Sequence, residues 1–351
     1  MVKQPDFDLE GHLPKKMEKT IIKLRSPEYL SSHWDNLADF YFQKREFLDH
    51  LHRYNPCAQR YYELYRNNKL VAGTVVYTLK IDIFTFVNIP SPFKAQIIGL
   101  PASIATPPMI GDPGEFEYFL AELIKMESGL ILGVNFLEDY LRDKVLNLRT
   151  LPTIVLKFES TGIPGYERSL RHSYRRRIHR IREKFSNVTA LTTDCTVFTE
   201  EHYALYLEIM KKTTTKLEIL SLDAFRYLPS NFLLTTYYTE KKMLCWHVVC
   251  KDKEVLFFYF GGLNYAFRDQ YHSYNNNLLG IISAAVDHNY GIVDFGQTAE
   301  IAKTRLGGNL SERRMFAYHR NPVFFYFLRV FKNLFTYSKQ PEHCQVFKNE
   351  N

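Results

Sequence analysis

The chain has 351 residues, enough for two domains of roughly 150–175 residues each, and its 46% hydrophobic and 24% charged content excludes a disordered chain. Aromatic residues reach 15%, with 27 Phe and 24 Tyr, and that much ring area calls for large cores, an apolar ligand channel or contact with lipid. The formal net charge of +7 points to an anionic partner: nucleic acid, a phosphopantetheine donor, an acidic carrier protein or an anionic bilayer.

Residues 1–20 read as a polar arm, without the apolar stretch of a signal peptide. No run approaches the roughly 20 apolar residues of a membrane span. The five cysteines (Cys57, Cys195, Cys245, Cys250 and Cys344) are scattered and odd in number, which reads as free thiols in a reducing, cytoplasmic setting. Residues 21–160 form a first lobe. It opens with a strand at Ile21–Leu24 and a helical stretch from about Ser32 to Tyr54. Strands follow at Gln59–Arg66 and Lys69–Leu79, joined by Asn67-Asn68, a pair that tolerates positive φ and so marks a hairpin. A Pro-rich loop (Ile89-Pro90-Ser91-Pro92, then Pro101 and Pro107-Pro108) leads to a helix, Glu115–Met126, and a strand, Gly129–Asn135.

Residues 161–186 are a connector whose helix, Tyr166–Phe185, carries Arg168, Arg171, Arg175, Arg176, Arg177, Arg180, Arg182 and Lys184. Leu170, Tyr174, Ile178, Ile181 and Phe185 give it one apolar stripe, so the rest is either a solvated cationic face or a dock for an anionic carrier. Residues 187–320 repeat the first plan: strand Asn187–Thr193, helix Glu200–Lys212, then a meander of Asn231–Glu240, Met243–Cys250 and Val255–Leu263. A helix over Asn277–Asn289 and a strand, Ile292–Phe295, complete it. Residues 321–351 are an amphipathic terminal segment. Its helix, Asn321–Tyr337, gathers Phe324, Phe327, Phe331 and Phe335 on one arc and Arg329 and Lys332 on the other, fitting an interfacial anchor or a helix docked on lobe one.

The strongest local chemistry is Asp294-Phe295-Gly296-Gln297-Thr298, followed by Lys303 and Arg305. A carboxylate at a strand's end beside a cleft can act as a base or orient an amine. Lys303 and Arg305, expected at the cleft surface, can neutralise an oxyanion or a donor phosphate. The plainer alternative is a strand end with a turn glycine and two surface cations. His247 and Tyr259, on adjacent meander strands, are candidates to move a proton, or are packed strand residues. No GxSxG, GxxxxGK[ST] or HExxH motif occurs, and no His/Cys cluster has metal-ligand spacing.

From Tyr274-Asn275-Asn276-Asn277 through Asp294–Gly308 to Tyr318 and Arg320, with Gly99-Leu100-Pro101 and Tyr166–Leu170 upstream, the sequence resembles the two-lobe GNAT-like N-acyltransferases. That group includes Fem-type aminoacyltransferases and bacterial ceramide synthases. The resemblance implies an α/β fold of tandem GNAT-like lobes with a mixed sheet, the first lobe degenerate and the second catalytic. It implies a donor thioester lying in a splay between Val255–Leu263 and Ile292–Phe295, its phosphates received by the helix start at Asn275, Asn276, Asn277 and Leu278. The glycine-rich pyrophosphate loop of ordinary GNAT enzymes is missing. No cofactor is implied as permanently bound; acyl-CoA or an acyl-phosphopantetheine carrier is the donor. The acceptor is an amine, such as a lipid or envelope precursor at the inner face of an anionic membrane. The alternatives are Fem-type transfer from aminoacyl-tRNA to a peptidoglycan precursor, and a non-catalytic binding protein on the same fold.

Overall fold

The computed structural model describes residues 18–348 except 56, 85–88, 103–104, 159–161, 214–217, 241 and 340–343; for 81–84 and 89–93 it describes the backbone alone. Most of the expected polar arm lies outside the described residues.

Each lobe is built as a meander, a helix and a parallel strand. In lobe one, β1 (Lys19–Leu24), β2 (Arg60–Arg66), β3 (Lys69–Phe84) and β4 (Ile89–Ile98) pair antiparallel, with β5 (Met109–Gly111) on β3. Asn67 and Asn68 take φ 49° and 62°, the left-handed turn expected between β2 and β3. Helix α1 (Arg45–Tyr54) precedes β2, and helix α2 (Pro113–Met126) returns the chain to β6 (Leu130–Phe136), parallel to β4. Lobe two repeats the order with β8 (Thr189–Thr193), helix α5 (Glu200–Lys212), β9 (Phe232–Thr239), β10 (Lys242–Asp252) and β11 (Val255–Leu263). Helix α6 (Ser273–Asp287) then leads to β12 (Ile292–Asp294), parallel to β11. The chain is thus an α/β protein of two tandem lobes with the GNAT-like order of elements.

The lobes exchange their last strands. β7 (Leu146–Lys157) leaves lobe one to pair with β12, and β13 (Asn309–His319) leaves lobe two to pair with β6; β7 and β13 also pair with each other. The result is one continuous sheet in the order β1-β2-β3-β4-β6-β13-β7-β12-β11-β10-β9-β8. The divisions at residues 160 and 187 therefore part the chain but not the sheet. Neither exchanged strand is expected from the sequence. In β7, Pro152 and Leu151 occupy an irregularity where Thr150 faces Arg313 and Thr153 faces Ser311, a place where proline is tolerated. In β13, the run Glu312-Arg313-Arg314 hides the alternation, although Arg313 is buried. At the seam, Gly133 of β6 lies under Phe316 of β13, where a Cβ would stand 2.2 Å from the ring. Phe316 is only 1% exposed and has no room to withdraw. Gly133→Ala is expected to cost about 1–3 kcal/mol of stability, read from urea unfolding.

Three helical expectations change. The stretch from Ser32 to Tyr54 is broken at Ala38–Lys44, because the Gln43 side chain accepts from the N–H groups of Asp39 and Phe40 at 2.9 and 3.0 Å. The connector splits into α3 (Ile163–Ser169) and α4 (His172–Glu183). The C-terminal tail takes the backbone groups between them, with Leu170 bridging Phe347 and Arg171 N–H donating to Val346 O at 2.9 Å. The terminal helix breaks at Phe331 into α8 (Pro322–Val330) and α9 (Lys332–Phe335), counting α7 as Glu300–Thr304. The Pro-rich segment at Ile89–Pro92 is strand β4 rather than loop.

The aromatic content fills a core shared by both lobes. Phe42 and Phe47 of lobe one pack with Phe232, Phe257 and Tyr259 of lobe two at ring separations of 5.1–6.2 Å. The terminal segment turns Leu328, Phe335 and, just past the helices, Tyr337 inward, while Val323, Tyr326 and Val330 remain 77%, 69% and 56% exposed. Docked core and exposed apolar stripe are therefore both present. Among the described residues, no helix is long and apolar enough to cross a membrane.

Candidate active site

β11 and β12 run together for three residue pairs, Val255–Ile292, Leu256–Val293 and Phe257–Asp294, and then part. Two local features force the separation. On β11, Phe258 faces Val249 and Phe260 faces Val248, so Tyr259 is an extra residue in a β-bulge. Beyond β12, Gly296 takes φ 68° and the chain leans on β7 instead, Phe295 N–H donating to Ile154 O and Ile154 N–H to Gly296 O. A cavity of about 950 Å³ opens in the splay. Its walls include Phe258–Leu263, the start of α6 at Tyr274 and Asn275, the loop Gly296–Ala299, and Lys303 and Arg305.

Asp294 is buried at the apex. Its carboxylate accepts from the Thr153 hydroxyl and, at 2.8 Å, from Gly296 N–H. Burial raises its pKa above the usual carboxylate value, and those two bonds offset part of the rise. Lys303 corrects an expectation: it is 2% exposed rather than at the surface. Its Nζ donates to Gly296 O at 3.1 Å and to Gln297 O at 2.6 Å. Burial lowers its pKa to about 7, with Asp294 pulling the other way. Two carbonyl acceptors match the two N–H bonds of an uncharged amine, which leaves its lone pair as the third position. The loop holding these carbonyls is strained, with Thr298 and Ala299 at φ 65° and 50°.

Arg305 is exposed, as expected, and lies beside Arg177 of α4. Burial, then the charge of Arg305, lowers the Arg177 pKa. Both line the cavity mouth, and among the described residues neither forms an ion pair with a carboxylate. Elsewhere on the connector, Arg182 pairs with Glu167 at 2.7 Å and Arg171 Nε donates to Phe347 O at 3.0 Å, so those two hold structure.

The remaining candidates fall differently. His247 and Tyr259 project from opposite faces of the sheet. His247 packs under α6, its Nδ1 2.8 Å from Asn277 Oδ1, and does not line the cavity. Burial lowers its pKa to about 4. The Tyr259 ring lies in the aromatic core, and burial raises its pKa well above the usual phenol value. α6 starts at Ser273, with His272 capping it at φ 48°, so its free N–H groups lie before Asn276. Asn276 Nδ2 donates to Ile181 O and Asn277 Nδ2 to Trp246 O, pinning α6 to α4 and β10. Leu278 is core. Of the four, Asn275 and Asn277 line the cavity, and Asn276 and Leu278 do not. Gln297, read only as part of the motif, clasps lobe one, donating to Asn135 Oδ1 and Leu151 O at 3.0 and 2.6 Å. Among the described residues two buried hydroxyls on the cavity wall have no partner: that of Tyr259, already a candidate from the sequence, and Thr106 Oγ1, which the sequence does not flag because tertiary packing alone places it there.

No family model matches the sequence, and no curated protein matches it. Among solved structures, the chain is similar to L-PGS from Bacillus licheniformis (9% identity, 82% of this chain and 94% of that one, TM-score 0.49). It is also similar to the C-terminal domain of a putative lysylphosphatidylglycerol synthetase from Agrobacterium fabrum (8%, 74% and 85%, 0.48) and to FemX (11%, 77% and 90%, 0.47).

Proposed function

We propose that the chain is an N-acyltransferase in which an acceptor amine attacks a thioester carbonyl directly, without an acyl-enzyme. The observation that supports it is the splay itself: a bulged strand, a buried amine titrating near pH 7 and a cationic mouth share one cavity. The donor's phosphates meet Arg177 and Arg305, and its thioester lies between β11 and β12. A backbone N–H of the bulge faces the carbonyl oxygen. The new N–C bond forms as C–S breaks; uncharged Lys303 takes the proton from the attacking nitrogen and passes it to the departing thiolate. Asp294 positions Lys303, fixing its loop and keeping its pKa from falling further. The acceptor is an amine at a lipid surface, a reading supported by the outward stripe of α8.

Release of free thiol from acetyl-CoA and palmitoyl-CoA, with an aromatic amine that stays uncharged throughout, tests this. Release should require the acceptor, and kcat/KM should rise through about pH 7. Asp294→Asn should move that limb to lower pH, because the lost negative charge no longer favours the ammonium. A limb falling through pH 7 would make Lys303 a charged oxyanion donor instead. Thiol release absent with these donors, with an acyl carrier protein and with aminoacyl-tRNA would leave a binding protein.

A further inference from the structure

The cavity continues from the splay into lobe one, where nothing in the transfer chemistry requires space. There it is walled by Leu130 and Leu132 of β6, Leu148 of β7 and Met315 of β13, and closed by Leu328 and Phe335 of α8 and α9. β6 and β13 lie in the middle of the sheet, yet Leu132 and Met315 are only half-buried, and the surface they show is the cavity's. The alternation of β6 explains the arm. Ile131 and Phe136 pack beneath α2, while Leu130, Leu132 and Val134 point to the opposite face. The same division on β13 sends Phe316 to α2 and Met315 and Ala317 to the arm.

A polar ligand would find few partners along these walls, whereas each methylene buried there raises affinity about fourfold. The roof fits the same chemistry: α8 is apolar inward at Leu328 and outward at Val323, Tyr326 and Val330. We propose that this arm is a subsite for the long alkyl chain of an amphiphilic substrate whose reacting end lies at Lys303. It deepens the acyltransferase reading and rests on it for the position of that end. The chain belongs either to the acyl donor or to a lipid amine acceptor.

Fluorescence of cis-parinaric acid on the full chain reads the arm without catalysis. Met315→Trp and Leu132→Trp, each checked for folding by its thermal melt, fill the arm from two strands. Each is expected to weaken parinarate binding by tenfold or more. A loss of kcat/KM for palmitoyl-CoA with acetyl-CoA unchanged assigns the chain to the donor. A loss for dodecylamine over ethylamine, with acetyl-CoA as donor, assigns it to the acceptor. Parinarate that fails to bind, or binds folded variants as it binds the native chain, overturns the subsite. Binding that responds to the variants in a protein without transfer activity keeps the subsite and overturns the enzyme.

Discussion

Lys303→Met is expected to lower kcat by about 10²-fold or more while leaving donor KM little changed, the signature of a group whose proton transfer belongs to the transition state. The same change should alter stability in a way a structural lysine would not. Folded, Lys303 titrates near 7; a free lysine titrates near 10.5. Between those values the unfolded chain holds more protons than the folded one, so native stability rises with pH across that window and the burial penalty is complete below it. In Lys303→Met that rise, on the order of a few kcal/mol, should be missing, and the variant should gain relative stability at neutral and lower pH. Urea unfolding at several pH values, set beside turnover, separates the cases. Unchanged turnover would remove Lys303 from the mechanism. A variant that loses stability at every pH would mean its bonds to Gly296 and Gln297 outweigh the burial of its charge.

The paired reversal Arg177→Glu and Arg305→Glu should act on binding. Charge-assisted bonds to phosphate are each worth about 1.5–3 kcal/mol, and both guanidiniums stand at an exposed mouth where salt screens them. Donor KM is expected to rise by about tenfold or more at low ionic strength, and the native KM should climb with salt while kcat holds. Reversal of Arg175, Arg176 and Arg180, which lie off the cavity lining, should do less for a small donor such as acetyl-CoA. An effect as large as that of the first pair would move donor docking onto the outer face of α4 and favour a macromolecular carrier. A KM indifferent to salt and to both sets would leave α4 a connector.

What the sequence reveals and what it hides divide along contact range. The meander, α5 and β12 follow from hydrophobic period and turn residues, because their signals lie within a few neighbours. β7 and β13 do not, since Pro152 and the Glu312-Arg313-Arg314 run contradict a strand until the partner lobe supplies the other half of the ladder. The break at Leu170–Arg171 is likewise imposed by Val346 and Phe347, which no window over the connector contains. In the site, the spacing of Asp294, Lys303 and Arg305 along the chain is enough to group them. The burial that turns Lys303 from a surface cation into an amine near neutrality comes from tertiary packing around its side chain, which spacing along the chain does not report. The apolar arm needs side chains from three strands and two helices, and no linear pattern announces it.

The exchanged strands also govern how the molecule can be made. On the ribosome, β6 emerges with its outer edge bare, and its neighbour β13 is translated only after almost all of lobe two. β7 in turn has no partner until β12 and β13 exist. The first lobe therefore cannot finish folding as an N-terminal unit, and a nascent chain carries an open, largely apolar strand edge through about half of its synthesis, the state that chaperones bind and aggregation exploits.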